Sequence, residues 1–411
     1  METLKKISTQ TLWQILAKIS SSLSTLFILG LVAHSFGVEG TGIYTLAATY
    51  LGFFYLIADF GVNAYILPQL ISGDTPLIWR KLLGFRLLLS LGLMLIALLL
   101  LPLLPFSSPT FSLLVRLGIA SILPSAVFIT ASAYFQSAFL YRYVSIATLI
   151  NSIFAAVFAY WVVSLKLPMQ WIIIGNTGGW TLSAVIGLIF VQRTIPLWPI
   201  FEVQFMRKIL VSSWPISLML MSNMLYFRVD SFILTSQKSF VDTGIYNLPY
   251  TMFQAALVVP TFIMNGFYPL MIKHLEKDTK RFFRELKIAT ALMAVMGLAG
   301  IIATSLIAPV LIPLVTGGSD FDASITVLNI LSLGFPAFFL SSLFMWVLVV
   351  FRKFKPLLVI YGSALAINIV LNLWLIPRLS YIGAATVTTF CEYLILIFQL
   401  TILYKVVYRS S

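Results

Sequence analysis

Apolar residues fall in twelve long runs along this chain, and the polar residues collect in the short intervals between them. The runs lie at about 11–36, 42–70, 82–105, 110–137, 143–165, 171–191, 209–236, 243–271, 288–312, 324–349, 356–376 and 381–404. Each is long enough for a helix to cross the hydrocarbon core of a bilayer, which takes about 20 residues. The pattern predicts an all-α integral membrane protein of twelve transmembrane helices. On this map every interval is shorter than about 20 residues, so no soluble domain is expected. Nor is a cleavable signal peptide: Met1 to Gln14 is mostly polar, and the apolar run after it belongs to the first span.

Composition agrees with lipid as the solvent. Of 411 residues, 60% are hydrophobic and 9% charged, too few charges to cover a globular surface. The formal charge is +13, and its placement matters more than its size. With an even number of spans both termini share one side, and 19 of the 26 basic residues lie there, among them Lys5, Lys6, Arg80, Lys81, Arg207, Lys208, Lys280, Arg284, Arg352, Lys353 and Lys405. The opposite side has Lys166, Lys238 and Arg378. By the positive-inside rule both termini are expected in the cytoplasm, in a multi-pass protein of the cytoplasmic (inner) membrane. The basic excess then reflects topology and attraction to anionic membrane lipids, and no nucleic acid is expected as a partner. One cysteine, Cys391, and two distant histidines, His34 and His274, give no metal cluster and no internal disulfide. No cofactor is implied.

The segment Gln192 to Lys208, with Pro196 and Pro199 around Leu197 and Trp198, separates six spans from six. The expected division is an N-terminal lobe at 1–191, an interlobe cytoplasmic linker at 192–208 and a C-terminal lobe at 209–411. TGIY occurs at 41–44 and again at 243–246, each copy opening the second span of a half. This reads as an internal duplication. Both halves begin on the same side, so the repeats are parallel, giving two pseudo-symmetric six-helix lobes around a central cavity.

Seven ionisable side chains lie inside the spans: Lys18, Asp59, Arg86, Arg116, Arg228, Asp230 and Glu392. Each costs roughly 3 kcal/mol at a helix centre, so each must be paired, wetted or able to snorkel. In span one, Thr11, Gln14, Lys18, Ser21, Ser22 and Thr25 share about 100° of helical arc. Span eight puts Asn247, Tyr250, Gln254, Thr261 and Asn265 on one face, with Pro260 able to break the helix. Span seven groups Asn223, Tyr226 and Asp230, and span two groups Tyr55, Asp59 and Asn63. These four helices are expected to line the cavity.

Blander readings stand beside these. Ser21 and Ser22 suit close helix packing as well as a cavity, Lys18 and Arg86 are also placed to snorkel, and Glu392 is also a candidate for a buried structural pair. Arg228 and Asp230 point about 200° apart and cannot pair along their helix, so each needs a partner elsewhere. Substrate-binding candidates are therefore Lys18, Ser21, Ser22, Thr25, Arg86, Arg116, Asn223, Tyr226, Arg228, Asn247, Tyr250 and Gln254. Ion-coupling candidates are Asp59, Asp230 and Glu392. No nucleophile motif, phosphate loop or nucleotide-binding domain occurs, and no loop is large enough for an acceptor site, so the chain does not read as an enzyme.

Residues 367–388, INIVLNLWLIPRLSYIGAATVT, resemble the penultimate-helix signature of the oligosaccharide and polysaccharide flippases of the Wzx type, with Asn368, Asn372, Pro377, Gly383 and Ala384 carrying the match. FRVDSFILTSQKSFVDTGIYNLPY at 227–250 is similar to that family's seventh helix and following turn through Asp230, Gly244 and Tyr246, and GVEGTGIYTLAATY at 37–50 is a third match. The family belongs to the superfamily that also holds multidrug extruders and lipid II flippases. The lipid II flippases resemble a 14-helix plan for which this chain has no room, and the extruders commonly place an acid in the first helix where this chain has Lys18.

The resemblance implies a flippase that moves an undecaprenyl-pyrophosphate-linked oligosaccharide from the inner to the outer leaflet by alternating access, in polysaccharide biosynthesis. The implied partners are that lipid-linked oligosaccharide, membrane lipids, a proton or sodium ion, and other glycan-assembly proteins. The alternative is a cation-coupled exporter of small amphipathic, drug-like compounds, which needs an acidic cavity that Asp59, Asp230 and Glu392 would have to supply. A membrane-embedded enzyme or scaffold of glycan assembly is the third reading, and the short loops count against it.

Overall fold

The structure, a computed structural model, describes residues 2–106 and 108–408. The side chains of Thr11 and Asn265, members of two of the polar stripes, lie outside the described residues. Among those described there are helices and no strands. In order they are α1 (Glu2–Asp59), α2 (Val62–Ser72), α3 (Thr75–Leu100), α4 (Pro109–Gly118), α5 (Ile122–Ser137), α6 (Tyr141–Ser164), α7 (Gln170–Val191), α8 (Val203–Gln237), α9 (Phe240–Ala256), α10 (Val258–Lys277), α11 (Thr279–Thr316), α12 (Asp322–Ser332), α13 (Phe335–Val350) and α14 (Phe354–Tyr408).

Among the described residues nine helical stretches are long and apolar enough to cross a membrane, or ten when α12 and α13, bent by 41°, are taken as one span. Two of the nine are far too long for one crossing. Leu12–Asp59 has 48 residues and Phe354–Lys405 has 52, about 70 and 80 Å if straight against a core of about 30 Å. Each is broken near its middle. Gly37 (φ 66°) leaves helical geometry in α1, and the Thr41 hydroxyl donates to the Gly37 carbonyl at 2.7 Å. Ser380 (φ 51°) does so in α14, three residues after Pro377. That break is held by the α8–α9 turn: Lys238 Nζ donates to the Pro377 carbonyl at 2.8 Å, and the Ser380 hydroxyl donates to Asp242. Both breaks coincide with intervals expected between spans.

Other interruptions fall inside expected spans, and they repeat between the halves. The second span is cut at Phe60 and Gly61, which both take positive φ, and the eighth at Leu257 between α9 and α10. The eighth breaks a turn before Pro260, since a proline ring disrupts the helix on its N-terminal side. The fourth passes through a 3-10 turn at Ile119–Ser121, and the tenth turns at Leu333 and Gly334. Two structural irregularities thus recur at matching places in a sequence whose halves share little beyond TGIY.

The chain divides into two compact units, one of residues 1–36 and 43–224 and the other of 37–42 and 225–411. In the first, Trp79, Ile66, Leu70, Phe85, Phe135 and Val191 form a buried core, and the Trp79 indole donates to the Thr130 carbonyl at 3.0 Å. The extended segment 196–202 is strapped to α3 in this unit: Ile200 N–H donates to the Arg80 carbonyl at 3.0 Å, Arg80 Nε to the Trp198 carbonyl at 2.7 Å, and Lys81 pairs with Glu202 at 2.5 Å. In the second unit Phe253 stacks on Phe335 and meets Phe338 edge-on. The surface is inverted relative to a water-soluble protein. Leu306, Val310 and Leu314 of α11 are about three-quarters exposed, whereas Arg86, Asp230, Asn247, Asn372, Glu392 and Gln399 are buried.

The two TGIY copies touch. A Cβ on Gly244 would lie 3.0 Å from the Gly42 nitrogen and press on the Val38 backbone, and one on Gly42 would press on the Phe240 and Gly244 backbones. Two helices cross here at a distance that glycine alone allows. Gly244→Ala should destabilise the protein by about 1–3 kcal/mol, seen as a lower unfolding temperature in detergent. Gly92→Ala, whose added methyl meets nothing within 4 Å, should leave that temperature unchanged or slightly raised.

Candidate functional site

Each unit holds charged side chains at membrane depth, and the fold treats the two signs differently. In the first unit the face of α1 bearing Lys18 is uncovered: Gln14, Lys18 and Thr25 are exposed, and Ser21 and Ser22 half-buried. The Thr25 hydroxyl donates to the Ser21 carbonyl at 2.9 Å, a bond internal to the helix. Leu12, Leu16, Ile19, Leu23 and Phe27 are also exposed, but at 100° per residue they lie about 100–180° around the helix from Lys18. The helix packs through one flank, with the Ser24 hydroxyl on the Ser152 carbonyl at 2.8 Å and Ala17 and Ile28 buried. Of the exposed positions, one group is apolar and the group bearing Lys18 is polar. Lys18 has no ion-pair partner among the described residues.

Asp59 and Arg86 pair with each other. Arg86 is 1% exposed, so it does not snorkel. Its Nη2 donates to Asp59 Oδ1 at 2.8 Å and to Asn63 Oδ1 at 2.9 Å, and Nη1 reaches Thr130 Oγ1 at 3.5 Å. Arg86 Nε, buried, has no partner among the described residues. Asp59 is the last residue of α1, where Phe60 and Gly61 turn the chain, so the break aims its carboxylate at α3. Tyr55, one turn earlier, bonds Ser121 at 2.5 Å instead. Arg116, in the last turn of α4, is exposed and unpaired among the described residues, with the helix dipole in its favour.

In the second unit both acids are enclosed. Asp230 accepts from the Ser231 N–H at 2.7 Å, the Tyr246 hydroxyl and the Thr388 hydroxyl at 3.4 Å. The Ser231 hydroxyl passes on to Asn247 Oδ1 at 2.7 Å. Glu392 accepts from the Tyr226 hydroxyl at 3.1 Å and from the Ser341 hydroxyl. Neither carboxylate has a cation within ion-pair distance among the described residues. Arg228 points elsewhere and stays half-buried: Nη2 donates to Gln254 Oε1 at 2.7 Å, and the guanidinium lies 5.4 Å from the Tyr250 ring centre. Tyr250 stacks on Tyr246, and its buried hydroxyl has no partner among the described residues.

The sequence stripes are thereby split. Of the seventh-span group, Tyr226 and Asp230 turn inward while Asn223 is exposed; of the eighth, Asn247 and Tyr250 are buried, Gln254 is half-buried and Thr261 exposed. Three partners were missed by stripe reasoning because they come from distant segments: Thr130 for Arg86, Ser341 for Glu392, and Thr388 for Asp230. Asn368 and Asn372, joined at 3.0 Å, are buried too, and Asn372 Oδ1 lacks a partner among the described residues. No group of three or more metal-ligating side chains is present among the described residues.

A buried ion pair resists loss of one member more than replacement of both. Arg86→Met should lower stability by about 3–5 kcal/mol, and Asp59→Leu in the same chain should recover part of it. The check is the unfolding midpoint of both single variants and the double variant in one detergent.

Comparison with known proteins bears on what such a site serves. Residues 7–275 match the model of a family described as polysaccharide biosynthesis protein. The fold is similar to that of a lipid II flippase, MurJ, in an inward closed conformation (TM-score 0.78, 14% identity, 96% of this chain and 87% of that one). It is similar also to an inward-facing multidrug resistance MATE family transporter of the MOP superfamily (TM-score 0.77, 12% identity, 98% and 96%). A third is a MOP superfamily transporter from Pyrococcus furiosus whose binding pocket is described as having reverse polarity (TM-score 0.65, 12% identity, 94% and 92%). No curated protein sequence matches the chain.

Proposed function

The chain belongs to the polysaccharide biosynthesis protein family, and from that premise we propose that it carries an undecaprenyl-pyrophosphate-linked oligosaccharide from the inner to the outer leaflet of the cytoplasmic membrane. It is a multi-pass membrane protein with a transporter fold. The proposed topology counts α1 and α14 as two crossings each and the bent α12–α13 pair as one, giving twelve with both termini cytoplasmic.

The observation that carries the reading is the sign of the uncovered intramembrane charge. Lys18 and Arg116 are exposed and Arg228 is half-exposed, whereas Asp59 is held by Arg86, and Asp230 and Glu392 are buried. An exporter of cationic compounds needs the reverse. A pyrophosphate is too polar to cross lipid unaided, and Lys18 and Arg228 offer it charge-assisted hydrogen bonds. Exposed Gln14, Thr25 and Asn223 suit sugar hydroxyls. Access alternates between the two leaflets in this reading.

Lys18→Ala and Arg228→Ala should each lower transport on the order of ten-fold or more, with the protein still present in the membrane. Arg228→Lys should keep part of the activity as a point charge without the planar fork. A deletion strain should accumulate the lipid-linked sugar facing the cytoplasm and lose its surface polysaccharide. A strain that keeps its glycan and becomes sensitive to cationic dyes favours the drug-exporter reading.

Asp230 and Glu392 are the proposed ion-coupling carboxylates, because hydroxyl and amide donors alone meet their charge, so a proton or sodium ion would neutralise it. Asp59 is the weaker candidate, since Arg86 already does so. Asp230→Asn and Glu392→Gln should each abolish the response of transport to an imposed proton or sodium gradient. Wild-type transport that ignores both gradients would refute the coupling role.

A further inference from the structure

One surface feature stands outside the sites above. At the end of the second unit where α13 turns into α14, an open apolar groove of about 620 Å³ lies between the start of α11 and the ends of α13 and α14, within the size range of ligand sites. Leu286, Phe344, Val347, Phe351, Leu403 and Tyr404 line most of it. Every lining segment carries cations beside it: Arg284 and Lys287 flank Leu286, Arg352 and Lys353 follow Phe351, and Lys405 follows Tyr404. None of these five has an ion-pair partner among the described residues. The neighbouring acid, Glu285, is already committed to His274 at 2.8 Å and Arg281 at 3.5 Å. Apolar walls on segments that carry unpaired cations next to the lining residues are complementary to one kind of molecule, a lipid with an anionic headgroup.

We infer that this groove is a binding site for an anionic phospholipid, with an acyl chain against Phe344, Val347 and Leu403 and the headgroup phosphate among Lys287, Arg352, Lys353 and Lys405. Along α13 the lining runs from Phe344 to Phe351, about 10 Å. That length suits the upper part of an acyl chain better than a polyprenyl tail, which is several times longer. The inference does not depend on the proposed substrate, and the groove shares no residue with the Lys18 or Arg228 sites.

The test measures lipid retained by the purified full-length protein, by native mass spectrometry, after incubation with dioleoylphosphatidylglycerol or dioleoylphosphatidylcholine. Wild type should retain the anionic lipid preferentially. Lys353→Gln with Lys405→Gln should reduce that retention on the order of ten-fold, from about 1 kcal/mol per cation near an anionic lipid. Thr401→Trp, which fills the groove from an exposed lining position, should reduce it while keeping the cations. Arg207→Gln with Lys208→Gln, in the first unit, should not. Equal retention of the two lipids by wild type, or anionic retention unchanged in both groove variants, would overturn the inference. So would displacement of the phosphatidylglycerol by equimolar undecaprenyl pyrophosphate, which would make the groove a substrate site. Transport assays on the same variants report separately on the flippase reading.

Discussion

Lipid supplies no hydrogen-bond partner, so every polar group at membrane depth must find one within the chain or in a wetted space, and this requirement orders the structure. It turns the protein inside out, with leucines and valines outward on α11 and carboxylates, amides and an arginine inward. It also decides where helices break. At two of the interruptions a side chain meets a backbone carbonyl: Thr41 that of Gly37 and Lys238, from a distant helix end, that of Pro377.

The same requirement separates the two signs of charge. An arginine taken out of water costs too much alone, and Arg86 is met by a carboxylate and two further oxygens. Asp230 and Glu392 are met by hydroxyls of tyrosine, serine and threonine and by one backbone N–H, which carry no charge of their own. The second unit's acids thus lack the counter-charge that Arg86 gives Asp59 in the first. Lys18, by contrast, is exposed and lies apart from the exposed leucines of the same helix.

Much of this was legible before any coordinates. Run length found the all-helical membrane class, because crossing a bilayer is a demand on length and polarity that each segment meets alone; nine or ten of the described helical stretches meet it, against twelve expected. The TGIY repeat pointed to duplication, and the paired interruptions in spans two and eight, and four and ten, support it independently. What stripe analysis missed were partners. A face tells which residues point together, not whether another helix covers them, so Asn247 and Tyr250 look the same in sequence as the exposed Asn223. Asp59 and Arg86 lie 27 positions apart on different helices. The one signal for their pairing was that each needed a counterion.

The α8–α9 turn has a consequence for how the protein is made. Ser380 holds a backbone geometry that is costly for a residue with a side chain, and its support, Asp242 with Lys238, lies well over a hundred residues upstream. A ribosome delivers that turn into the membrane long before the last hairpin emerges. The residues that hold Ser380 are therefore synthesised well before the segment they hold.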